Sequence, residues 1–312
     1  MAFPTDATGA QTITTNAVFI PELWSDDVLA AYKTNMVVAN LVTKINHVGK
    51  KGDTIHIPVP GRGSANEKVK LQVVTLNTDT ATDKALTIDQ HFEYSRLIED
   101  IAGVQSIDSF RGFYTNDAGY ALAKQVDDAL WAQAESLQGG TVGGTGAALW
   151  EKAVIGGDGS TLYTGAASND SALTDAGIRR MIQTLDDADV PQTERVLVIP
   201  PVERNTLMGI ARFTEQAFTG EMGGQNTIRN GMIGDLYGIQ IYVSSNAPSI
   251  DTAASRVGML IHKDALAFIE QMSVRSQTQY MQQHLADLFT ADTIYGVGEL
   301  RDTSGVAFVV PA

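Results

Sequence analysis

The segment Glu194-Arg-Val-Leu-Val-Ile199-Pro-Pro201, followed downstream by Gly231-Met-Ile-Gly234-Asp-Leu-Tyr-Gly238-Ile-Gln-Ile-Tyr-Val-Ser-Ser-Asn246, decides the fold class of this chain. Val196 to Ile199 form an unbroken apolar run that is too short for a buried helix and stops at two prolines. Such a run reads as a strand buried on both faces, in a sheet covered by helices. Pro200 and Pro201 then open a helix that continues through Met208, since proline is tolerated in a first helical turn. Residues 213–230 are glycine-rich, and Gly231, Gly234 and Gly238 mark turns that feed a second strand near Ile239 to Ser244. Strand, helix and strand in this order give an α/β layer.

Working outward, a helix capped by Thr174 turns Ile178, Met181, Ile182 and Leu185 to one face. Beyond the second strand, the pattern predicts a strand near Val257 to His262 and a helix near Asp264 to Ile269. Alternating Met272, Val274, Thr278 and Tyr280 then complete the layer, and Thr293 to Val310 returns as strand. Upstream, Phe110, Tyr114, Ala118, Leu122, Val126, Ala129, Leu130 and Leu137 recur at helical spacing between about Ser109 and Gln138, while Asn116, Asp117, Lys124, Gln125, Asp128 and Glu135 stay polar. At about 1.5 Å per residue this helix is a rod of roughly 45 Å. Gly139 to Ser171 reads as a glycine-rich connection.

Between Asp53 and Glu99 the period is two. Thr54 to Pro60 alternates around Pro58 and Pro60, which confine it to an edge strand. Ala85 to Tyr94 places Leu86, Ile88, Phe92 and Tyr94 on one face, and the intervening Ser64 to Lys84 reads as polar and threonine-rich. A long two-stranded hairpin is at best marginally stable alone, and its edges are open to other chains. Residues 1–17 show no period and read as an arm. Pro21 then starts an amphipathic helix with Leu23, Trp24, Val28, Leu29 and Tyr32 in one stripe.

The Arg195–Pro200 strand, the Gly231-x-Ile-Gly234-x-x-x-Gly238 turn, the strand ending in Ser244-Ser-Asn246 and the block Tyr295-Gly-Val-Gly-Glu-Leu-Arg301 together resemble the major capsid proteins of tailed bacteriophages. The resemblance covers the chain from about Pro21 onward. It implies an α+β capsid fold of the Hong Kong ninety-seven type. The N-arm with its amphipathic helix would take residues 1–49, the E-loop hairpin 50–100, the P-domain spine helix and connection 101–173, the A-domain 174–285, and the strands closing the A- and P-domains 286–312. The implied function is structural: self-assembly into hexamers and pentamers that form an icosahedral head around double-stranded DNA. The implied partners are further copies of the chain, a separate scaffolding protein, a portal protein and a cement or decoration protein, with packaged DNA touched weakly and without sequence specificity. The implied location is the virion, after assembly in the host cytoplasm. Arg62, Lys68 and Lys70 fall in the E-loop, where they would form salt bridges on the adjacent subunit. Some family members cross-link an E-loop lysine to a P-domain asparagine. The last asparagine of this chain is Asn246, so that chemistry is not expected. The alternatives are an encapsulin-type nanocompartment shell and an α/β enzyme with a nucleotide cofactor.

Composition narrows the remaining classes. The 312 residues are 44% hydrophobic, enough for a buried core, and contain no cysteine, which removes disulfides and thiolate chemistry. A formal charge of -14 argues against a protein that grips nucleic acid, and suits a container wall that leaves packaged DNA mobile. Met1-Ala-Phe-Pro-Thr-Asp lacks the basic and apolar regions of a signal peptide, and no apolar run approaches the roughly 20 residues that span a bilayer. No membrane partner is expected. Gly139-Gly-Thr-Val-Gly-Gly-Thr-Gly146 lacks the Lys-Ser or Lys-Thr that closes a phosphate loop, and it follows a helix. His47, His56, His91, His262 and His284 are scattered, and Asp79, Asp83, Asp186 and Asp187 lie in no calcium-loop pattern. No catalytic residue, cofactor or metal is expected.

Overall fold

The structure is a computed structural model that describes residues 37–59, 61, 63, 65–74, 76, 81–100, 110–134, 137, 155–159, 170–210, 235–250 and 254–312. The helix expected from Pro21 and the glycine-rich segments 139–146 and 213–230 lie outside these residues.

Arg195–Ile199 forms strand β6, and all five of its residues are buried. It lies between β10 (Ser255–His262), antiparallel with Val198 opposite Met259, and β8 (Ile239–Val243), parallel with Val198 opposite Tyr242. These are the centre of a seven-stranded sheet ordered β5-β13-β10-β6-β8-β7, in which β5 is Ile155–Gly156, β7 Asp235–Leu236 and β13 Gly305–Pro311; β9 (Ser249–Ile250) pairs with the start of β10. Side chains alternate between two cores, as a strand covered on both faces requires. Leu197 and Ile199 join Ile178, Met181 and Leu185 of α2 (Asp175–Asp187) and Leu207 of α3 (Pro201–Met208). Val196 and Val198 join Leu130 and Trp131 of α1 (Phe110–Gln133). The Thr174 hydroxyl accepts a hydrogen bond from the Gly177 N–H at 3.0 Å, capping α2 as the sequence predicts. Tyr237 and Gly238 both have positive φ, 54° and 80°, so β7 and β8 are joined by the two-residue turn whose twist suits a hairpin.

Glu203 of α3 is buried, and its carboxylate accepts a hydrogen bond from the Leu173 N–H at 3.0 Å. Burial pushes this carboxyl above its usual range, against the opposing pull of the bonds from Leu173 and Thr206. A raised folded-state value means that Glu203 adds stability as pH falls towards the ordinary 4.5 and withdraws it as pH rises through the raised value. Glu203→Gln keeps an acceptor for Leu173 without the buried charge. Its stability relative to the parent is therefore expected to be most favourable at neutral pH and to narrow on acidification. Chemical denaturation at several pH values checks this, and a gap that widens towards acid contradicts it.

The second sheet is four-stranded, ordered β1-β11-β12-β4, with β1 Thr43–Asn46, β4 Gln90–Glu99, β11 Leu266–Met281 and β12 Ala286–Glu299. Only the β1–β11 pair is parallel. One face meets α1, where Ala118 and Leu122 pack on Phe289 and Ala291. The other face meets the ribbon formed by β2 (Thr54–Val59) and β3 (Thr82–Thr87), through Leu86, Ile88, Ala267 and Ile269. Helix α1 thus touches both sheets, with its first half on β12 and its last turns in the core shared with β6. Its 24 described residues span about 36 Å at 1.5 Å per residue and lie within the rod expected from 109–138.

Two expectations are corrected. The predicted helix at Asp264 to Ile269 is a single 3-10 turn, Lys263–Ala265, followed directly by β11. Leu266 and Phe268 belong to the core beside α1, and Ala267 and Ile269 to the core under the ribbon, so this apolar run alternates between two buried faces. Periodicity alone does not separate such a run from a buried helix. Consequently Leu266–Met281 leaves the seven-stranded sheet instead of completing it. The strand expected from Ala85 to Tyr94 is also broken, at Ile88 and Asp89. The break flips the chain: Leu86 and Ile88 face the ribbon side, whereas Phe92 and Tyr94 face α1.

Candidate assembly surfaces

The ribbon is held at its root, and the described residues beyond it are exposed. β2 and β3 pair from Thr54 opposite Thr87 to Val59 opposite Thr82. At the root, Ile55 and Ile57 pack with Leu86, the Ile88 N–H donates to the Asp53 carbonyl at 2.7 Å, and the Lys84 ammonium lies 3.3 Å from the Glu299 carboxylate. Gly296 makes this seating possible. A Cβ there would stand 2.4 Å from the Thr87 carbonyl oxygen and 3.0 Å from Ile88 Cα, both backbone atoms that cannot rotate away. Gly296→Ala is therefore expected to lift the ribbon root and to cost about 1–3 kcal/mol. Thermal melting of the variant checks this; an unchanged midpoint contradicts the contact.

Past the root the chain becomes exposed, and it is apolar. Val69, Leu71, Val73, Val74 and Leu76 are all exposed, with Leu71 at 106% and Val73 at 90% of full accessibility. The reading of residues 64–84 as polar is thus corrected for its first half. Single exposed apolar side chains are ordinary, but five within eight residues mark a contact surface. Lys68 Nζ donates to the carbonyl oxygens of Val69, at 2.8 Å, and Gln72, which curls the loop on itself. Lys70 is exposed, and among the described residues neither lysine meets a carboxylate. Arg62 lies outside the described residues.

A second exposed region is the far end of the four-stranded sheet. β1 accompanies β11 only as far as Glu270, and from Met272 to Met281 most β11 residues are exposed, including Val274 and Tyr280. Leu285 in the turn after β11 is exposed as well, and so is Leu97 of β4, which the register puts on the sheet face opposite Tyr280. Charged pairs stiffen this end of the sheet. Arg275 donates two hydrogen bonds to Asp292, at 3.1 and 2.8 Å, and holds that carboxyl below its usual range, with His91 Nε2 3.3 Å from the same carboxylate. The Tyr280 hydroxyl donates to Asp100 at 2.8 Å, and the Arg96 guanidinium stands 5.5 Å from the rings of both Tyr94 and Tyr114.

A buried polar junction joins the parts. Asp127 of α1 is fully buried, and its Oδ1 accepts from the N–H groups of Val38, at 3.0 Å, and Ala39, at 3.3 Å. The Asn246 amide nitrogen donates to Asp127 Oδ2 at 3.1 Å and Asp128 Oδ1 at 2.7 Å, while Lys124 Nζ donates to Asp128 Oδ2 at 2.8 Å. Burial pushes the Asp127 carboxyl up, opposed by these bonds. The nearby Tyr295 hydroxyl, buried and near Asp128, is pushed up to about 12. The sequence reading missed Asp127. The available signal is that Asp127, Trp131 and Ala134 follow helical spacing inside the apolar stripe. Asn246, the last asparagine, is held inside this junction. Among the described residues no group of three His, Asp or Glu side chains is disposed to hold a metal, and no helix is long and apolar enough to cross a membrane.

Chains of solved phage structures share this architecture. A solved chain from Mycobacterium phage Che8 is similar over 93% of this chain and 97% of that one, at 26% identity and a TM-score of 0.70. The capsid of cyanophage P-SCSP1u is similar over 99% of both chains, at 19% identity and a TM-score of 0.71. The head structure of Helicobacter pylori bacteriophage KHP40 matches over 97% and 98%, at 11% identity and 0.71. No curated protein matches in sequence. The family model described as phage capsid protein matches residues 92–307, most of β4 through β13, and the chain belongs to that family.

Proposed function

We propose that this capsid subunit closes its shell by strapping the β2–β3 ribbon across a neighbouring copy, in hexamers and pentamers around double-stranded DNA. The observation that carries the reading is the exposed apolar run from Val69 to Leu76, beyond a ribbon root that packs on its own subunit. Charge supports it. Residues 50–76 hold five basic residues, Lys50, Lys51, Arg62, Lys68 and Lys70, against Asp53 and Glu67, whereas the whole chain has 22 basic and 36 acidic residues. A cationic, apolar strap on an otherwise acidic molecule is complementary to a second copy. Arg62, Lys68 and Lys70 are its proposed salt-bridge donors.

The proposed organisation is an N-arm at 1–49, an E-loop at 50–100, a P-domain spine and connection at 101–173, an A-domain at 174–285 and closing strands at 286–312. Within it β4 of the E-loop segment and β11 of the A-domain segment run in the four-stranded sheet beside α1. Scaffolding, portal and decoration proteins are proposed partners, packaged DNA is touched weakly by an acidic wall, and assembly occurs in the host cytoplasm before the subunit resides in the virion head. The subunit works as a structural element without catalysis or cofactor. Many modest contacts repeated over a closed shell give stability by avidity.

Concentrated protein is expected to yield capsomers, tubes or closed shells by light scattering and electron microscopy. Particles recovered from phage-producing cells should protect DNA from nuclease. A strictly monomeric species at high concentration argues against the strap, and a protein cargo in place of DNA supports a nanocompartment.

A further inference from the structure

We infer that Asp127 is a clasp that fixes the chain at residues 38–40, the root of the proposed N-arm, and ties it to the corner after β8. The inference rests on the shell-forming reading for its consequence, and on the local geometry for the clasp itself.

Residues 38–40 form one 3-10 turn, and no side chain of its own caps it. The first N–H groups of such a turn have no partner within it. Asp127 supplies the acceptor from a helix 88 and 89 residues away in sequence, so the turn is capped by a remote element. Val38 and Val42, both buried in the core with Leu130 and Tyr295, wedge the turn against α1 on either side of this cap. On the opposite carboxylate oxygen, Asn246 brings in the Ser244-Ser-Asn246 corner, and the Asn246 backbone N–H is itself held by the Ser244 hydroxyl at 3.2 Å. The three N–H donors on Asp127 thus come from two segments other than its own. One is the root of the arm, and the other is the exit of β8 from the seven-stranded sheet. Cα traces of both are fixed by one side chain, and a change at either end is felt at the other through a single carboxylate. Asp128, next in sequence, reaches Asn246 and Lys124 and makes no bond to residues 38–39.

Asp127→Asn is the decisive variant, because an amide can keep one oxygen acceptor but turns N–H towards donors on its other side. In the folded variant, amide hydrogen exchange at Val38 and Ala39 is expected to speed up by about tenfold or more, while β6 and β10 amides change by less than about twofold. Asn246→Ala, which leaves Asp127 in place, is expected to speed exchange at the same two amides by a smaller factor. Asp128→Asn should leave them slow. Unchanged exchange at Val38 and Ala39 in folded Asp127→Asn or Asn246→Ala protein overturns the clasp, and so does equal acceleration in Asp128→Asn or across the whole core. Folded Asp127→Asn subunits are further expected to give shells of altered size distribution. Parent-like shells accompanied by fast exchange overturn the role of the clasp in assembly. Failure of the parent protein to assemble sinks the shell reading and leaves the clasp judged by exchange alone.

Discussion

A subunit in which residues 60–81 are replaced by Asn-Gly is expected to stay folded, melt cooperatively and fail to close into shells. The splice is geometrically allowed because Val59 and Thr82 are already paired across the ribbon, and a two-residue turn joins such a pair. Folding survives because none of the described residues in the removed stretch pairs into a strand of either sheet, only Ala81, beside β3, adjoins one, and none joins a core cluster. The contacts that bind the ribbon to its own subunit, Ile55, Ile57, Lys84, Leu86 and Ile88, all lie outside the excision. The exposed Val69, Leu71, Val73, Val74 and Leu76 go with the loop, so the variant should also be more soluble than the parent. Assembly suffers because each subunit loses its strap, and shell stability multiplies a single lost contact over every copy. Circular dichroism melting with electron microscopy decides between the outcomes. Unfolding of the variant, or regular shells from it, shows that the loop is not an intermolecular strap.

The parts of this fold that were legible in sequence are those governed by local chemistry. Thr174 announces the start of α2 through its side-chain cap, Pro201 opens α3, and Val196–Ile199 declares a doubly buried strand, all as observed. The parts that were not legible depend on what packs against the chain. Leu266–Ile269 is apolar on both faces because α1 lies on one side and the ribbon on the other, and the sequence carries no mark of two different covers. The flip at Ile88 and Asp89 arises where the chain passes from ribbon to sheet, again a tertiary event. The apolar ribbon tip was obscured by the lysines and threonines interleaved with it, although Val69, Leu71 and Val73 alternate at strand spacing. Asp127 sits among polar helix residues in composition and among core residues in space, and only the donors from residues 38, 39 and 246 explain its burial. The resemblance directs attention to the charged Arg62, Lys68 and Lys70 of the proposed E-loop, whereas the described exposed run is dominated by apolar residues that its lysines and threonines disguise.

Val198→Asp, by contrast, is expected to abolish folding. Val198 has no accessible surface and stands at the crossing of both sheet directions, opposite Met259 on one side and Tyr242 on the other. Its side chain enters the apolar core shared with Leu130, Trp131, Met259 and Val309. A carboxylate there would be buried and unpaired, a cost of several kcal/mol even after partial relaxation. The lost valine packing adds to it, and a native domain has only about 5–15 kcal/mol to lose. Both sheets are affected together because the same cluster holds Tyr295 and Val297 of β12. Val198→Ala separates charge from cavity: it should cost about 1–3 kcal/mol and leave a folded protein that still assembles. Soluble yield and the midpoint of thermal unfolding report both variants. A folded Val198→Asp subunit with a parent-like midpoint means that β6 is not the buried centre of the sheet, and the parallel pairing with β8 would fall with it.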